Sequence, residues 1–450
     1  MTTTHKSHAA RFLGTFTETF GLGREAAITA ILLITVVIGF AIAWFVQSAP
    51  PDSITITAGP EGSAYQSIAD KYRPILARNG VALKVLSSQG SQENLKRLAD
   101  PSIHVDIGFV QGGVTNGVDA GKLVSLGSVS YSPLLVFYRS ATPVELLSGL
   151  AGKRLSIGPV GSGTRALSLA LLDANGIQPG GTTTLLDMGA EDATKALMDG
   201  TIDAVFMMGD SASPQTMRKL FRTPEVQLMD FTQADGYTRR IHYLNKLELP
   251  RGCVDFGKDI PAHDVQLVGP TIELIARPDL HPALSDLLLE AAAEVHGRAT
   301  LFQRRGEFPA PVEHEFHISP DALRYYKSGK SFFYRSLPFW LASLVNRTLV
   351  AFVPMLLVLI PGLRFIPTAY KWRTQLSIYR WYRSLLKVER DLAGEMTAAK
   401  RNELQGRLDQ IERSVHQLKV PASFAGQFYG LREHIGFVRA RLKDMRSEPG

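Results

Sequence analysis

Cysteine is almost absent from this 450-residue chain, which holds one, Cys253. A single thiol excludes an intrachain disulfide, and it also excludes the CxxC motifs of metal and redox sites. We expect Cys253 to pack in a protein core. Zinc-finger and helix-turn-helix patterns are missing too, so the sequence offers no motif for nucleic-acid binding.

Excess basic charge is missing from the main part of the chain. The formal net charge is +7, yet residues 26–363 carry 29 basic and 31 acidic side chains, whereas residues 364–450 carry 17 and 9. The basicity therefore belongs to the C-terminal tail. A near-neutral main region is a second argument against a nucleic-acid partner.

Motifs for enzyme chemistry are incomplete. Residues 158–165 read GPVGSGTR and miss the phosphate-binding P-loop, because Thr164 replaces its lysine and Arg165 its Ser/Thr. His314 and His317 lack the HExxH spacing that places two zinc ligands on one helical face. No GxSxG nucleophile elbow is present. The sequence therefore predicts no catalytic residue, no metal site and no cofactor.

Two long apolar runs flank the main region. Ala26 to Val46 is a run of 21 residues without charge, long enough to cross a bilayer, and residues 337–363 contain one charge, Arg347. We interpret residues 26–47 and 337–363 as transmembrane helices. The alternatives are a cleaved signal peptide for the first and a buried or re-entrant hairpin for the second.

Basic residues adjoin both apolar runs on the sides away from the main region. Lys6, Arg11 and Arg24 precede the first run, and seven Lys and Arg side chains follow the second between residues 364 and 390. The positive-inside rule then places residues 1–25 and 364–450 in the cytoplasm. Residues of about 53–335 are expected outside the cytoplasmic (inner) membrane.

The basic tail has a helical pattern. Leu404, Leu408, Ile411, Val415 and Leu418 alternate steps of four and three residues, and a second such series runs from Phe428 to Met445. These seams predict a short coiled coil or a helical hairpin. The module either packs on itself or a partner, which we favour, or lies on anionic lipid headgroups.

Two glycine–hydroxyl loops are the most informative pattern. Gly59–Tyr65 and Gly158–Arg165 each follow a short aliphatic run and open a stretch with helical spacing of apolar residues. A strand–loop–helix unit aims backbone N–H groups and the positive end of a helix at one point, where an anion can bind. Ser162 and Thr164 add hydroxyl donors. Arg165 is either a partner of a ligand carboxylate or a member of an ordinary salt bridge.

The spacing of these loops repeats. Ser63 and Ser162 lie 99 residues apart, and so do Gly90 and Gly189, each of which precedes a helical pattern. Such a repeat predicts two βα lobes with equivalent loops that face each other across a cleft. Ligands of open α/β sheets bind at the C-terminal ends of the strands.

The same motifs resemble those of the TAXI-type solute receptors of TRAP transporters. The likeness covers roughly residues 53–300 and is carried by ITITAGPEGSAY (54–65), GSQENL (90–95), DIGFVQ (106–111), LAGKRLSIG (150–158), GSGT (161–164), DAVF (203–206) and LPRG (249–252). It implies an α/β, two-lobe type II periplasmic binding protein fold, here flanked by transmembrane helices and a C-terminal α-helical module. The expected lobes are 53–136 with 260–320, and 137–259.

The resemblance also implies a ligand and a site. Such receptors deliver a small organic anion or amino acid to a sodium-coupled permease, which makes TRAP permease subunits expected partners. The predicted ligand-binding residues are Gly62, Ser63, Tyr65, Gln111, Ser162, Gly163, Thr164 and Arg165, with Tyr131 and Met207–Gly209 as weaker candidates. Ser63 and Ser162 equally suit helix N-capping, and Tyr65 equally suits the core.

This chain departs from the TAXI pattern in two respects. The first loop ends in Ser63-Ala64-Tyr65-Gln66, where Gly-Thr-Tyr-Tyr is usual, and both ends of the main region are expected in the membrane. The predicted function is a membrane-tethered extracytoplasmic solute receptor. The alternatives are a ligand sensor or scaffold that acts through the tail, and, third, an enzyme such as a transferase on a similar two-lobe fold.

Overall fold

The computed structural model describes residues 24–115, 117–330, 332–337, 339–394, 397–418 and 424–444. The chain forms two compact units, one of Met1–Ser48 with Arg347–Gly450 and one of Ala49–Asn346. Residues 1–23, nearly all of the predicted N-terminal cytoplasmic segment, lie outside the described residues.

A five-stranded sheet forms the first lobe of the unit Ala49–Asn346. Its strands run in the order β2-β1-β3-β12-β4 and are β1 (Ser53–Thr57), β2 (Ala82–Leu86), β3 (Ile107–Gln111), β4 (Val124–Tyr131) and β12 (Thr271–Ala276). The first three strands are parallel, and β12 is antiparallel to both of its neighbours. The helices of this lobe are α2 (Ala64–Ala77), α3 (Ser91–Ala99), α8 (Pro282–His296) and α9 (Pro320–Ser328), with a 3-10 turn at Ala120–Lys122.

The second lobe repeats this plan. Its sheet order is β7-β6-β8-β5-β9, built from β5 (Leu135–Tyr138), β6 (Arg154–Ser156), β7 (Thr184–Leu186), β8 (Ala204–Met207) and β9 (Gln227–Leu228). Its helices are α4 (Gly163–Ala174), α5 (Ala190–Met198), α6 (Pro214–Phe221) and α7 (Ala234–Arg240), with a 3-10 turn at Leu147–Leu150. A two-stranded ribbon, β10 (Asn245–Leu249) and β11 (Val265–Gly269), completes it.

The two sheets are topological equivalents. In each, three parallel strands are followed by an antiparallel strand, β12 or β5, and then by an edge strand. The equivalence agrees with the repeat seen in the 99-residue spacing, because α2 and α4 follow β1 and β6 while α3 and α5 follow β2 and β7. The predicted fold class, α/β with a two-lobe type II periplasmic binding protein fold, is confirmed.

The chain passes between the lobes twice. The first passage, residues 132–134, separates β4 from β5, and the second is Pro270, between β11 and β12. The ribbon β10–β11 belongs to the second lobe because Leu247, Leu249 and Leu267 pack in its core. The observed passages thus lie two to four residues before the first predicted lobe boundary and about ten after the second.

Apolar spacing explains where the helices of the first lobe pack. The apolar residues with helical spacing on α2 are Tyr65, Ile68, Ala69, Tyr72, Ile75 and Leu76. Ile68 is half-buried, and the other five are buried against the sheet. Burial of a large apolar side chain of this kind stabilises the fold by about 1.5–3 kcal/mol. Because the stripe begins at Tyr65, the packing of α2 fixes the position of the loop just before it.

Asn94 holds the strand ends of the first lobe in register. Its side-chain oxygen accepts hydrogen bonds from Thr57 Oγ1 (2.6 Å) and Ser88 Oγ (2.7 Å). Its amide nitrogen donates to the carbonyls of Ala58 (2.5 Å) and Phe109 (2.8 Å). The buried Asn94 side chain on α3 therefore bonds to the last residue of β1, to the residues just beyond β1 and β2, and to β3.

The segment between α8 and α9 covers the edge of β4. Ser128 and Ala310 exchange backbone hydrogen bonds of 2.9 Å, and Ser125 N–H donates to the His317 carbonyl. An exposed strand edge is an aggregation hazard, and this coverage removes it. The HEFH motif serves the same packing, since His314 Nε2 lies 3.0 Å from Thr271 Oγ1 and Glu315 accepts from Gly113 N–H.

Within the part of the chain that the structure describes, two helices are long and apolar enough to cross a membrane. They are α1 (Arg24–Gln47) and the first part of α11 (Phe339–Leu392), which follows the short helix α10 (Phe332–Ser336). Mean hydropathy reaches 2.6 over Ala27–Gln47 and 2.0 over Phe339–Phe365. Arg347 lies with its guanidinium 4.9 Å from the ring centroid of Phe45, so the one charge of the second apolar run has an aromatic partner.

The tail forms a three-helix cluster from the end of α11, α12 (Ala398–His416) and α13 (Ala425–Asp444). Its buried residues are Ile378, Leu385, Val388, Leu392, Leu404, Leu408, Ile411, Val415, Leu431, Ile435, Val438 and Leu442. Most residues of the predicted seams of α12 and α13 are thus buried, Leu418 and Phe428 are partly buried, and Met445 lies outside the described residues. The third helix was not predicted. Its contribution starts beyond the apolar run, where basic side chains interrupt the pattern.

Replacement of Asn94 by leucine is expected to destabilise the unit Ala49–Asn346 by about 2–4 kcal/mol, because two hydroxyls and two carbonyls each lose a hydrogen bond in a buried site. Pulse proteolysis of the full chain in urea measures the loss. Lys96→Leu, on the exposed face of the same helix, is the control and should change stability by less than about 0.5 kcal/mol. An equal effect of both variants contradicts the assigned role.

Glu273 is expected to make the first lobe less stable as pH rises. Burial raises its pKa from 4.5 to about 7, a Ser125 hydrogen bond opposes the shift, and nearby Glu315 and Glu313 add to it. Because the folded state holds this proton more tightly than the unfolded state, the contribution is full below about pH 4.5 and is lost by about pH 7.

The variant Glu273→Gln removes this titration. It should be the more stable protein at pH 8, by at most about 3 kcal/mol, and should lose that advantage at pH 5. Hydrogen exchange in β12 peptides of both proteins, compared at the same pH, measures the difference. A constant difference between pH 5 and 8 rules out the titration of Glu273 as its cause.

Candidate functional site: the cleft between the lobes

Three helices begin at the boundary between the two lobes. They are α2 and α3 of the first lobe and α4 of the second, and each is preceded by a glycine-containing loop. All three N-termini meet the segment Met208–Ala212, which follows β8. The site is therefore built from strand ends and helix starts, as expected for open α/β sheets.

The first loop is bonded directly to the second lobe. Ser63 caps α2 by accepting from Gln66 N–H at 3.2 Å. The next two N–H groups cross the cleft, from Ala64 to the Ala212 carbonyl (3.2 Å) and from Tyr65 to the Gly209 carbonyl (3.3 Å). The N–H groups at the start of α2, which have no partner within their own helix, thus bond to the opposite lobe.

The second loop surrounds an internal carboxylate. Asp210 Oδ2 accepts from Gly163 N–H (2.5 Å) and, at 3.4 Å, from Thr164 N–H and Ser91 N–H. Its Oδ1 accepts from Thr164 Oγ1 at 2.6 Å. Because Ser91 opens α3 in the first lobe and Gly163 and Thr164 open α4 in the second, this carboxylate bonds to both lobes.

The surroundings of Asp210 are electropositive but without a cationic side chain among its hydrogen-bond donors. The residue is fully buried, and burial raises the pKa of its carboxyl, while hydrogen bonds from Thr164, Gly163, Ser91 and Ser211 lower it. The N-termini of α3 and α4 supply positive ends of helix dipoles. Backbone N–H groups and a hydroxyl arranged in this way form a nest that favours an anion, and the Asp210 carboxylate fills it.

A second chain of hydrogen bonds lies in the first lobe. Gln111 N–H donates to Ser91 Oγ (3.2 Å), and Ser91 Oγ donates to the hydroxyl of Tyr65 (3.3 Å). The Gln111 side chain, at the end of β3, is buried, and its nitrogen lies 3.8 Å from Met208 Sδ. Its carbonyl oxygen Oε1 is buried without a hydrogen-bond partner.

The lobes approach so closely that only glycine fits at several positions. A Cβ on Gly163 lies 2.3 Å from Gln111 Cδ, and one on Gly59 lies 2.6 Å from the Asp210 carbonyl. At Gly90, where φ is +130°, a Cβ lies 2.4 Å from Asp210 Oδ2. These distances describe a closed cleft, with the backbone of each lobe against the other.

The structure brings together most of the predicted ligand-binding residues, although which of them bind a ligand stays a prediction. Tyr65, Gln111, Gly163 and Thr164 lie around Met208–Ala212, and Ser63 and Ser162 cap α2 and α4 beside them. Gly62 is exposed and has a φ of +79°. It shapes the loop.

Two predicted candidates have partners elsewhere. Arg165 forms a salt bridge with Asp187, and partial burial lowers the pKa of its guanidinium. The Tyr131 hydroxyl donates to Glu307 Oε1 at 2.8 Å. For Arg165 the structure shows the salt-bridge alternative, because its guanidinium is paired with Asp187. Cys253 is half-buried beside the core of the second lobe.

Sequence reasoning missed Asp210 and Ser91. A signal for each exists: Asp210 follows Met207–Gly209 at the end of β8, and Ser91 follows Gly90 in the repeated loop. An acidic residue is not expected among the donors of an anion site, because a carboxylate there is unfavourable unless it is itself the anion.

Gly59→Ala is expected to hold the lobes apart, because the added methyl group would lie 2.6 Å from the backbone carbonyl of Asp210 in the opposite lobe. Its φ is not positive, so the backbone tolerates alanine. Spin labels on Lys96→Cys and Lys195→Cys, in a Cys253→Ser background, should report a longer distance by double electron–electron resonance. The control is Gly189→Ala, where a Cβ has nothing within 4 Å; equal distance distributions in the two variants contradict the close approach.

Comparison with known proteins places the chain in a family. The NMT1-like family matches residues 56–284, and no curated protein matches the chain. Solved structures that it resembles include the periplasmic aliphatic sulphonate binding protein SsuA of Escherichia coli (15% identity, TM-score 0.35, covering 55% of this chain and 69% of that one). A protein of Bordetella bronchiseptica (14%, 0.41, 62% and 99%) and the lipoprotein Tp32 of Treponema pallidum (14%, 0.32, 54% and 90%) are also similar. The chain belongs to the NMT1-like family.

Proposed function

We propose that the chain is a membrane-tethered extracytoplasmic receptor that captures a small organic anion or an amino acid in the cleft between its lobes. The observation that supports this most is the convergence of the α2, α3 and α4 N-termini from both lobes on one point. Helix N-termini with free N–H groups bind carboxylates and other anions. The names of similar structures, among them arginine-binding proteins and an amino acid transporter's binding protein, point to the same class of solute.

Capture follows from the two-lobe geometry. Ser91 belongs to the first lobe and Gly163 and Thr164 to the second, so one acceptor reaches all three only when the cleft is closed. A ligand that makes contacts with both lobes in one state alone shifts the population to that state. Gln111 adds a buried acceptor without a partner, suited to a ligand N–H.

For the setting, we propose that α1 and the first part of α11 cross the cytoplasmic membrane. Basic residues before α1 and after residue 363 then lie inside, and the two lobes lie outside. A TRAP permease is the proposed acceptor of the solute, as the TAXI resemblance implies. No catalytic role is proposed, because the family and the fold are those of binding proteins and the motifs for catalysis are incomplete.

A sensor is the second candidate function. The three-helix cluster of α11, α12 and α13 has its own buried core, which a simple anchor does not need. In this alternative, solute binding outside alters what the cluster contacts inside. Transport and sensing share the same solute site, so the solute test applies to both.

The test is isothermal titration of the full chain in nanodiscs with a panel of amino acids and organic acids. A solute of the proposed class should bind at one site, and at 100 times its Kd it should stabilise the protein by about 2.7 kcal/mol. Gln111→Leu should weaken that binding by about tenfold, since a ligand donor loses its acceptor. Tyr131→Phe, which loses a bond to Glu307 outside the cleft, is the matched control.

Two results would overturn the proposal. If no member of the panel binds, the receptor function fails. If a solute binds but Gln111→Leu and Tyr131→Phe have equal affinity, binding occurs away from the cleft.

A further inference from the structure

We infer that Asp210 is a built-in ligand: its carboxylate takes the position of a solute anion and closes the cleft in the absence of solute. The inference rests on the proposed function, because it concerns the same cleft. It adds that the resting receptor is closed, and that an anionic solute has to displace a side chain of the protein itself.

The first argument is the set of donors. Asp210 accepts hydrogen bonds from two backbone N–H groups and one hydroxyl of the second lobe, and from Ser91 N–H of the first. A solute carboxylate placed at the same point would use these same donors. An acceptor shared by both lobes is what stabilises a closed state.

The second argument is space. The carboxylate lies against Gly90, where a Cβ is 2.4 Å from Oδ2, and Gly163 lies against Gln111. The side chain of Asp210 has no exposed surface. A second carboxylate therefore does not fit beside the first, and the two charges would repel each other in a buried site.

The third argument is charge. A buried carboxylate costs several kcal/mol unless it is paired, and no cationic side chain is among the donors to Asp210. The helix N-termini and the hydroxyl provide the compensation. This compensation is complete only with the lobes together, since separation removes the Ser91 bond. Closure thus adds a donor from the first lobe to Asp210, and that bond in turn holds the lobes together.

The consequence for recognition is competition. A solute binds with an affinity reduced by the fraction of molecules in which Asp210 is out of the nest. Small monocarboxylates, which offer one anionic group and few other contacts, are expected to be excluded. Asp210 therefore determines specificity, because a solute has to bind the site more strongly than the Asp210 carboxylate does.

The test uses formate, which supplies the carboxylate that Asp210→Ala removes and little more. The full chain in nanodiscs carries spin labels at Lys96→Cys and Lys195→Cys with Cys253→Ser. Without any solute, the protein with Asp210 should show one short distance. Asp210→Ala should show a longer distance, and formate should restore the short one.

Titration gives the second readout. Asp210→Ala should bind formate at least about tenfold more tightly than the protein with Asp210, because donors to a charged acceptor become free. Asp210→Asn is the matched control: its amide fills the same space and can satisfy the same groups, so it should not respond to formate. Acetate, one methyl larger, should bind Asp210→Ala more weakly than formate.

Several outcomes overturn the inference. One is an open distance in the solute-free protein with Asp210, a measurement that does not depend on the folding of any Asp210 variant. Others are equal formate affinities with and without Asp210, and no formate response in Asp210→Ala. None of these involves the natural solute, so failure here is distinct from failure of the proposed receptor function.

Discussion

The burial of the Asp210 carboxylate between the lobes is the interaction on which the closed form of this molecule depends. Desolvation opposes the ionised group and raises its pKa, and four hydrogen bonds together with two helix N-termini counter part of that effect. The donors come from both lobes, so all four bonds form only in one arrangement. A surface ion pair would weaken with salt, whereas a dry site like this one is screened far less. The bonds that hold the closed form are therefore buried in the cleft, where salt weakens them little.

Glycines at or near the starts of α2, α3 and α4 let the two lobes approach each other, a role that the loop pattern does not indicate by itself. In a P-loop, glycines let a backbone approach phosphate. Here Gly59, Gly90 and Gly163 let the backbone of one lobe approach the other, since a Cβ at each lies under 2.7 Å from an atom of the opposite lobe. Anion binding and lobe contact require the same absence of a side chain, and a sequence alone does not separate them.

The sequence predicts the scaffold better than it predicts the site. Strand, loop and helix order follow from apolar spacing and from repeated glycines, and these are local properties of residues such as Tyr65, Ala69 and Tyr72. The nest at Gly163 and Thr164 was also predictable from its loop. The identity of its occupant was not, because Asp210 and Ser91 are 119 residues apart and meet only through the closure of two lobes. The third helix of the tail cluster was missed for the same reason, because its buried residues from Ile378 to Leu392 form a core only together with α12 and α13.

Chain connectivity bears on the choice between transport and sensing. The chain runs from α1 into β1 of the first lobe, and it leaves that lobe after α9 to reach α11. Both apolar helices are therefore connected to the same lobe. The second lobe connects to the rest of the chain only through residues 132–134 and Pro270. Neither apolar helix is therefore connected directly to the second lobe. Under the proposed function, a movement of the second lobe reaches either helix only through the first lobe, whereas a partner that contacts both lobes senses it directly. This connectivity supports the transport proposal over the sensor proposal.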